Sequence, residues 1–360
     1  MDTVKTALVG CGKIGRTHAL ALRDAPQSHF VAVCDADSER AKAFAREFGV
    51  AAFTTVDEMI AVTGAKAVAV STPHPLHAPI VLAAIENGAH ALVEKPLAAS
   101  LADCDRMIAA AKTAGCKLGV ISQRRLYTPA LRIKRAIDAG KIGRPVLGVL
   151  MMFNWRDQAY YQSDPWRGKW DTEGGGVLVN QAPHQLDLLQ WYMGPIQEVK
   201  AYWGNLNHPY IEVEDTAVAA LRFQNGGLGS LVVSNSQNPG IYSKIHIHGE
   251  NGASLGVQTD GGATFVAGVS SAIEPPVTDI WSVPGEENLL AQFQAEDRAA
   301  FQGLDATLHY HALQIRDFLA AIIADRDPMV TGEEGRRSVE LFNAIYRSHQ
   351  SGGAIALPLH

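Results

Sequence analysis

Two side chains in this 360-residue sequence could move a proton at a substrate hydroxyl, Lys95 and His184. Lys95 lies in Glu94-Lys95-Pro96. There an ammonium can hydrogen-bond a hydroxyl and, when partly desolvated, share in proton transfer. Taken alone, it reads rather as a surface lysine held by Glu94. His184 follows three glycines, Gly174 to Gly176, and a short apolar run that delivers Asn180. The glycines let backbone approach a ligand closely, and a spacing of four sets Asn180 and His184 on one face if a helix starts here. Asp187 is one turn further on. It orients the imidazole, or it is an acid in a helix's first turns, favoured there by the dipole.

A cofactor for such chemistry is signalled upstream by Gly10-Cys-Gly12-Lys13-Ile14-Gly15, which follows an apolar run and opens an amphipathic one. Gly10 allows the tight turn, Gly12 lets the main chain approach a pyrophosphate, and Gly15 lets helix and strand pack closely. The N–H groups of the helix start then face the phosphates. Asp35 ends the next apolar run, twenty positions after Gly15. An acid there accepts from the adenosine ribose hydroxyls and repels a 2′-phosphate, so NAD is expected over NADP. Arg40 either softens that preference or solvates the following helix. Ser71, Thr72, Pro73 and His77 follow a later strand's carboxyl end, where ligands of such sheets gather. They serve as cofactor contacts or as turn and cap residues.

These residues need a frame. The first ~120 residues alternate apolar and amphipathic segments, the pattern of a doubly wound parallel sheet. Strands are expected over 6–9, 30–34, 67–71, 91–94 and 117–122, and helices over 17–23, 38–48, 79–87 and 101–114. The run at 67–71 is almost entirely Ala and Val, as in a strand buried on both faces. The character changes near residue 123, so the expected domains are 1–122, binding NAD, and 123–360, binding substrate and making the oligomer. In the second part 129–139 has helical spacing. Longer alternating stretches over 146–154, 198–203, 217–223, 229–234 and 244–248 read as antiparallel strands with Gly/Asn turns. Two closing helices are expected over 309–324 and 333–349.

With 47% hydrophobic and 19% charged residues, the chain has ample core. A net charge of −6 without a long basic run argues against nucleic acid as a partner. No apolar run reaches the ~18 residues of a membrane span, and Met1–Lys5 lack the character of a secretory signal. Four cysteines without metal or redox spacing fit reduced thiols in a cytoplasmic protein. His246-x-His248 and His309-x-His311 assemble no closed metal constellation, so no metal is expected.

Taken together, the order of motifs resembles the Gfo/Idh/MocA oxidoreductases, named for glucose–fructose oxidoreductase and inositol dehydrogenase. The matching pieces are the Gly10–Gly15 loop, Glu94-Lys95-Pro96, Gln123-Arg-Arg125, the glycine run with Asn180 and His184-x-x-Asp187, and Gln314-x-x-Asp317-Phe318. The resemblance implies a Rossmann domain followed by an α/β domain with a large open, mostly antiparallel sheet that pairs subunits into dimers or tetramers. It implies oxidation of a secondary alcohol of a sugar, glycoside or cyclitol, with Lys95 and His184 as the catalytic pair and Glu94 and Gln123 beside the cofactor. Many members carry Asp where this chain has Asn180. A neutral amide cannot stabilise an imidazolium, which leaves His184 as proton acceptor. The resemblance adds that family branches acting on glycosides and nucleotide sugars also carry this asparagine, which implies such a substrate rather than free inositol. Oxidation at a ring carbon of a glucose-type pyranose, C3 for instance, is the expectation within that class.

The segment 153–170 is rich in aromatic residues interleaved with charge. Flat rings suit the C–H faces of a pyranose. The resemblance places Trp166 and Arg167 near the cofactor, Arg156 and Tyr161 near the substrate, and by looser analogy His311 there too. Two other functions fit the same fold: an NAD-dependent glycosidase working by transient oxidation and elimination, and a regulator that senses NAD or sugar without catalysis.

Overall fold

The computed structural model describes residues 2–261, 264–266, 269–271 and 274–359. The chain forms two compact units, one of residues 1–123 with 304–339, the other of 124–303 with 340–360.

In the first unit six strands, β1 (Val4–Val9), β2 (Ser28–Cys34), β3 (Ala51–Phe53), β4 (Ala67–Val70), β5 (His90–Val93) and β6 (Leu118–Val120), make one parallel sheet. Their order, β3-β2-β1-β4-β5-β6, reverses between β1 and β4, so the carboxyl ends of those strands open a crevice. The connecting helices are α1 (Lys13–Asp24), α2 (Ser38–Phe48), α3 (Val56–Thr63), α4 (His77–Glu86) and α5 (Leu101–Ala114). All four residues of β4 are buried, as its unbroken Ala/Val run requires. β3 and α3 fall in 51–63, where no element was expected. β3 has only three residues, one of them exposed, too short and too wet to show a period.

The second unit carries an eight-stranded sheet in the order β16-β13-β12-β7-β11-β10-β9-β17. Its strands are β7 (Pro145–Phe153), β9 (Ile196–Gly204), β10 (Thr216–Phe223), β11 (Leu228–Ser234), β12 (Tyr242–Gly249), β13 (Ser254–Gly261), β16 (Val277–Trp281) and β17 (Ile355–Ala356). Every pairing is antiparallel except β7 with β11. β8 (Trp155–Arg156), β14 (Thr264–Val266) and β15 (Val269–Ser271) form a small separate sheet. One face of the large sheet is sealed by α9 (Pro183–Met193): a Cβ at Gly148 in β7 would come within 2.7 Å of Met193 and 3.0 Å of Leu189. The other helices of this unit are α6 (Thr128–Asp138), α7 (Gln158–Gln162), α8 (Trp170–Glu173) and α10 (Leu290–Phe301).

The expected boundary at 122/123 falls where the chain leaves the first sheet, yet α11 (Ala306–Ile323) belongs to the first unit. Its Ile315, Phe318 and Leu319 join Leu8, Leu22, Leu92 and Ile121 in one core cluster. Each such burial stabilises by about 1.5–3 kcal/mol. The chain divides within α12 (Gly332–Ser351), between residues 339 and 340.

Candidate active site

The nucleotide loop is built as its glycines demand. Gly10 has φ +100°, and a Cβ there would lie 2.8 Å from the backbone of Ser71 and Thr72. A Cβ at Gly15 would meet the Gly10 carbonyl oxygen at 2.1 Å. Gly12 differs: a Cβ would touch nothing within 4 Å. The protein's own packing therefore does not require glycine at 12, and the space beside it is open on the side of the helix start. Gly12 is the N-cap of α1, whose first residues are Lys13 and Ile14, and no side-chain hydrogen bond caps this helix. Its N–H groups are left for a phosphate.

Around the loop, Ser71 donates to the Gly10 carbonyl at 2.8 Å, bracing the turn rather than reaching outward. Asp35 accepts from the Cys11 and Asp37 amides at 2.8 and 3.0 Å and from Arg40 Nη1 at 3.4 Å. Burial, then Asp35, push the Cys11 thiol up to about 12, so it stays protonated. Among the described residues, Thr72 Oγ1 and Gln123 Oε1 are buried without a hydrogen-bond partner. Both lie just beyond sheet strands, Thr72 after β4 and Gln123 after β6. Unsatisfied polar atoms of this kind fit a dinucleotide with polar groups to offer. Pro73 precedes the single 3₁₀ turn His74–Leu76. His77 is a correction: its ring is fully buried, with Nε2 at 3.0 Å from the Thr72 carbonyl and Nδ1 at 3.0 Å from that of Pro96. It ties two loops together and has no nitrogen left for a cofactor.

Glu94 and Lys95 follow β5. Glu94 Oε1 sits 2.8 Å from His18 Nε2 and 3.2 Å from His311 Nε2, and Oε2 accepts from the Lys95 amide at 3.2 Å. Burial alone would raise the Glu94 carboxyl, but the bonds from both histidines outweigh it and hold the group well below the usual range. Burial lowers His18. His311 Nδ1 donates to the Thr307 carbonyl at 2.6 Å. This too is a correction, because both nitrogens of His311 are committed inside the first unit rather than offered to substrate. The three side chains have metal-ligand types within 4.8 Å, but both Nε2–Oε1 separations are hydrogen-bond lengths. What they do is fix the backbone from which Lys95 projects.

In the second unit, Gly174 caps α8 in the left-handed region, and residues Val177–Gln181 form one π-helical turn before α9 starts at Pro183. Asn180 therefore lies in the π turn and His184 in the first turn of α9, where a regular helix was expected to carry both. Wide turns of this kind recur at functional sites. The glycines also serve another purpose than expected. A Cβ at Gly175 would lie 2.1 Å from the Tyr346 hydroxyl, and one at Gly176 would lie 1.9 Å from the Glu214 carbonyl oxygen. They admit protein, not ligand.

Two acids here were invisible in the sequence reading. Glu173, almost fully buried, accepts from the Asn180 amide nitrogen and from the Gly168 N–H. A carboxylate thus stands behind Asn180 after all. Its position at the head of the glycine run was the available signal. Glu214 holds the π turn from the other side. His184 is 6% exposed. Asp187 is held by Arg125, whose Nε and Nη2 donate to its two carboxylate oxygens at 2.7 and 2.6 Å.

The aromatic segment forms its own network. Arg167 Nη1 donates to the Tyr160 hydroxyl at 2.5 Å, and its guanidinium lies 4.4 Å from the rings of both Tyr160 and Trp166. Arg156 donates to the Trp155 carbonyl at 2.7 Å, and burial lowers its pKa. Tyr161 is buried edge-on to Tyr160, and burial raises its hydroxyl pKa. His246 bonds Asp279 at 2.9 Å and His248 bonds Ser254 at 2.7 Å, each as a sheet-face partner.

Comparisons with known proteins agree with this architecture. Residues 4–122 match the family model of Gfo/Idh/MocA oxidoreductases with an NAD-binding Rossmann fold, and residues 130–254 match that of the Gfo/Idh/MocA C-terminal domain. The 1,5-anhydro-D-fructose reductase of Ensifer adhaerens is 28% identical over 96% of both chains. The myo-inositol 2-dehydrogenase of Thermotoga maritima is 30% identical over 69% of this chain and 74% of its own. The WlbA dehydrogenase of Bordetella pertussis, solved with NADH and UDP-GlcNAcA, superposes with a TM-score of 0.83 at 31% identity, covering 99% of this chain and all of that one. The glycine loop that asks for a phosphate and these matches along nearly the whole length lead to one conclusion: the chain belongs to the Gfo/Idh/MocA family of NAD-binding oxidoreductases.

Proposed function

We propose that this protein oxidises a secondary hydroxyl of a sugar, glycoside or cyclitol, and within that class a ring carbon of a pyranose. One observation carries the reading: a lysine on a loop fixed by the His18–Glu94–His311 cluster, and a histidine set by a π turn, occur in a chain whose relatives are named for anhydrofructose, inositol and nucleotide-sugar chemistry. Bound NAD supplies the hydride acceptor. In this reading His184 takes the hydroxyl proton as general base, and Lys95 donates a hydrogen bond to the reacting oxygen. Asn180, its amide nitrogen held by Glu173, is proposed to help hold the reacting oxygen with Lys95. Arg156 and Tyr161 are proposed to border the sugar, and Trp166 and Arg167 the nicotinamide end.

A panel of free sugars, inositols, glycosides and nucleotide sugars, with NAD and NADP followed separately, tests this. Net NADH formation with a pyranoside supports it. Glycoside cleavage without NADH would replace it by hydrolysis through transient oxidation, and NAD binding with no turnover on any polyol would replace it by a regulator.

Cofactor choice gives a second test. Asp35→Ser removes the carboxylate that faces the ribose and releases Arg40 from it, 3.4 Å away. The NAD-over-NADP ratio in kcat/KM should fall by roughly tenfold or more, the equivalent of ~1.4 kcal/mol of removed repulsion. An unchanged ratio would mean that another group reads the 2′ position.

We propose further that the large sheet pairs subunits. Leu147, Tyr202, Val218 and Leu228 are 40%, 61%, 38% and 56% exposed. Strand register puts them on one face, since Leu147 pairs with Leu228, Val218 with Tyr202 and Val232, and Val232 with Met151. Among the described residues, no helix is long and apolar enough to cross a membrane.

A further inference from the structure

Three consecutive amides of the segment that leads to His184 bond to a single residue. Glu214 Oε2 accepts from Gly176 N at 2.9 Å, its Oε1 accepts from Leu178 N at 3.0 Å, and its own carbonyl accepts from Val177 N at 3.1 Å. Tyr346 completes the socket, donating to Glu214 Oε1 at 2.9 Å. Glu214 is fully buried, and Gly175 and Gly176 are glycines because Tyr346 and Glu214 fill the space where Cβ atoms would stand. The entry to the π turn Val177–Gln181 is therefore seated on one residue, two of its amides on the Glu214 carboxyl group and one on the Glu214 carbonyl.

We propose that Glu214 is a positioning residue: its carboxyl group sets the π turn that carries Asn180 and leads to His184, and ionisation of that group loosens the seat. The catalytic consequence rests on the function proposed above, while the mechanical one does not. Two protonation states satisfy the socket differently. The carboxylate accepts three bonds, whereas the acid accepts the two amides and turns its proton toward the Tyr346 oxygen. Burial raises the Glu214 carboxyl from 4.5 to about 7, against the lowering effect of the Leu178 and Gly176 amides and Tyr346. The other titratable groups facing the socket are Tyr346, raised well above its usual value by burial and then by Glu214, and Glu173, which adds to that rise. Asp215, next in sequence, faces His208 instead at 2.7 Å.

The sign follows from linkage. An acid whose folded pKa is raised stabilises the closed state fully below its unfolded value, and that stabilisation is lost as pH rises through the folded value. Opening of the turn should thus become easier by about tenfold per pH unit up to about 7, then level off. Hydrogen exchange of peptides covering 174–184, corrected for the intrinsic pH dependence of exchange, reads this in the wild-type protein. Tyr346→Phe removes a donor to the carboxylate and should move the plateau to higher pH, and Glu214→Gln should abolish the slope.

Exchange with no pH dependence beyond the intrinsic one in the wild type would overturn the proposal, as would a slope that survives in Glu214→Gln. If the glutamine variant does not fold, the wild type and Tyr346→Phe decide. With a polyol that the wild type oxidises, kcat should fall above about pH 7 in the wild type and lose that limb in Glu214→Gln, with KM little changed. If no polyol is oxidised, the proposed function fails and the exchange result still stands or falls by itself.

Discussion

Replacing His184 by alanine should lower kcat by about 10²–10⁴-fold, the contribution of a well-placed acid–base group, and leave NAD affinity close to that of the wild type. The reason is a division of labour along the chain. The groups expected to hold the dinucleotide, the Gly10–Gly15 loop, Asp35 and Thr72, all belong to the first unit, whereas His184 opens α9 in the second. Calorimetric titration of NAD checks the first half and steady-state turnover the second. Because His184 is nearly buried, His184→Asn serves beside alanine to separate lost chemistry from a cavity. Lys95→Met should cost a comparable factor if the ammonium holds the reacting oxygen. The double variant is the sharper measurement. Residues acting as one unit are strongly non-additive, so the double should be little worse than the weaker single. Losses that multiply would mean the two side chains do not serve the same step, and equal loss of turnover and NAD binding would remove His184 from the chemistry.

Five of the six strands of the first sheet were legible in the sequence because each is a short apolar run, and β3 was not because its three residues are too few and too exposed. Gly10 and Gly15 are demanded by close backbone contact, while nothing in the chain itself crowds Gly12. The same local logic misled at 174–176. Three glycines in a row say that something comes close, but not what, and here it is Tyr346 from 170 positions away and Glu214. Long-range partners leave no local pattern. α10 was missed for a related reason. It is amphipathic only weakly, and its one buried residue is an acid, Asp297, which accepts from Arg132 Nη1 and from the backbone and hydroxyl of Thr278. α11 was expected as a helix but its destination was not. Its apolar side chains would suit either unit, and packing against Leu22 and Leu92 decided between them.

Histidines and acids were readable as chemistry but not as assignments. His77, His311 and Glu94 all lie where the family pattern puts functional groups. Burial then gave each a partner inside the protein: backbone carbonyls for His77, and one another for Glu94 and His311. A buried polar group must be satisfied, and for these two histidines the satisfying groups come from as near as 4 and as far as 217 residues along the chain. The loop that carries Lys95 and the turn that leads to His184 are each braced by distant residues, His18 and His311 for the first and Glu214 with Tyr346 for the second, so neither brace left a local pattern.

Asp187→Ala should be among the most destabilising single changes in the second unit, by about 3–5 kcal/mol, because it removes the bidentate partner of the buried Arg125 guanidinium. The pair is nearly buried, at 3% and 6% exposure, and bidentate, and Arg125 also lies 5.2 Å from the Trp191 ring. Removing the acid takes away both oxygens that Arg125 Nε and Nη2 donate to, and desolvation that was offset becomes a net cost. Replacing both members, as Arg125→Met with Asp187→Leu, should recover most of the loss, since a well-packed apolar pair avoids the desolvation altogether. Denaturant unfolding of the two singles and the double gives the coupling directly. The same variants separate structure from catalysis. If Asp187 acts through Arg125 to seat α9, the folded double variant should keep most of its turnover below the unfolding transition. If Asp187 instead orients the His184 imidazole itself, the double would be stable yet slow, with a displaced pH profile. The bidentate geometry favours the first outcome, because both carboxylate oxygens already face the guanidinium.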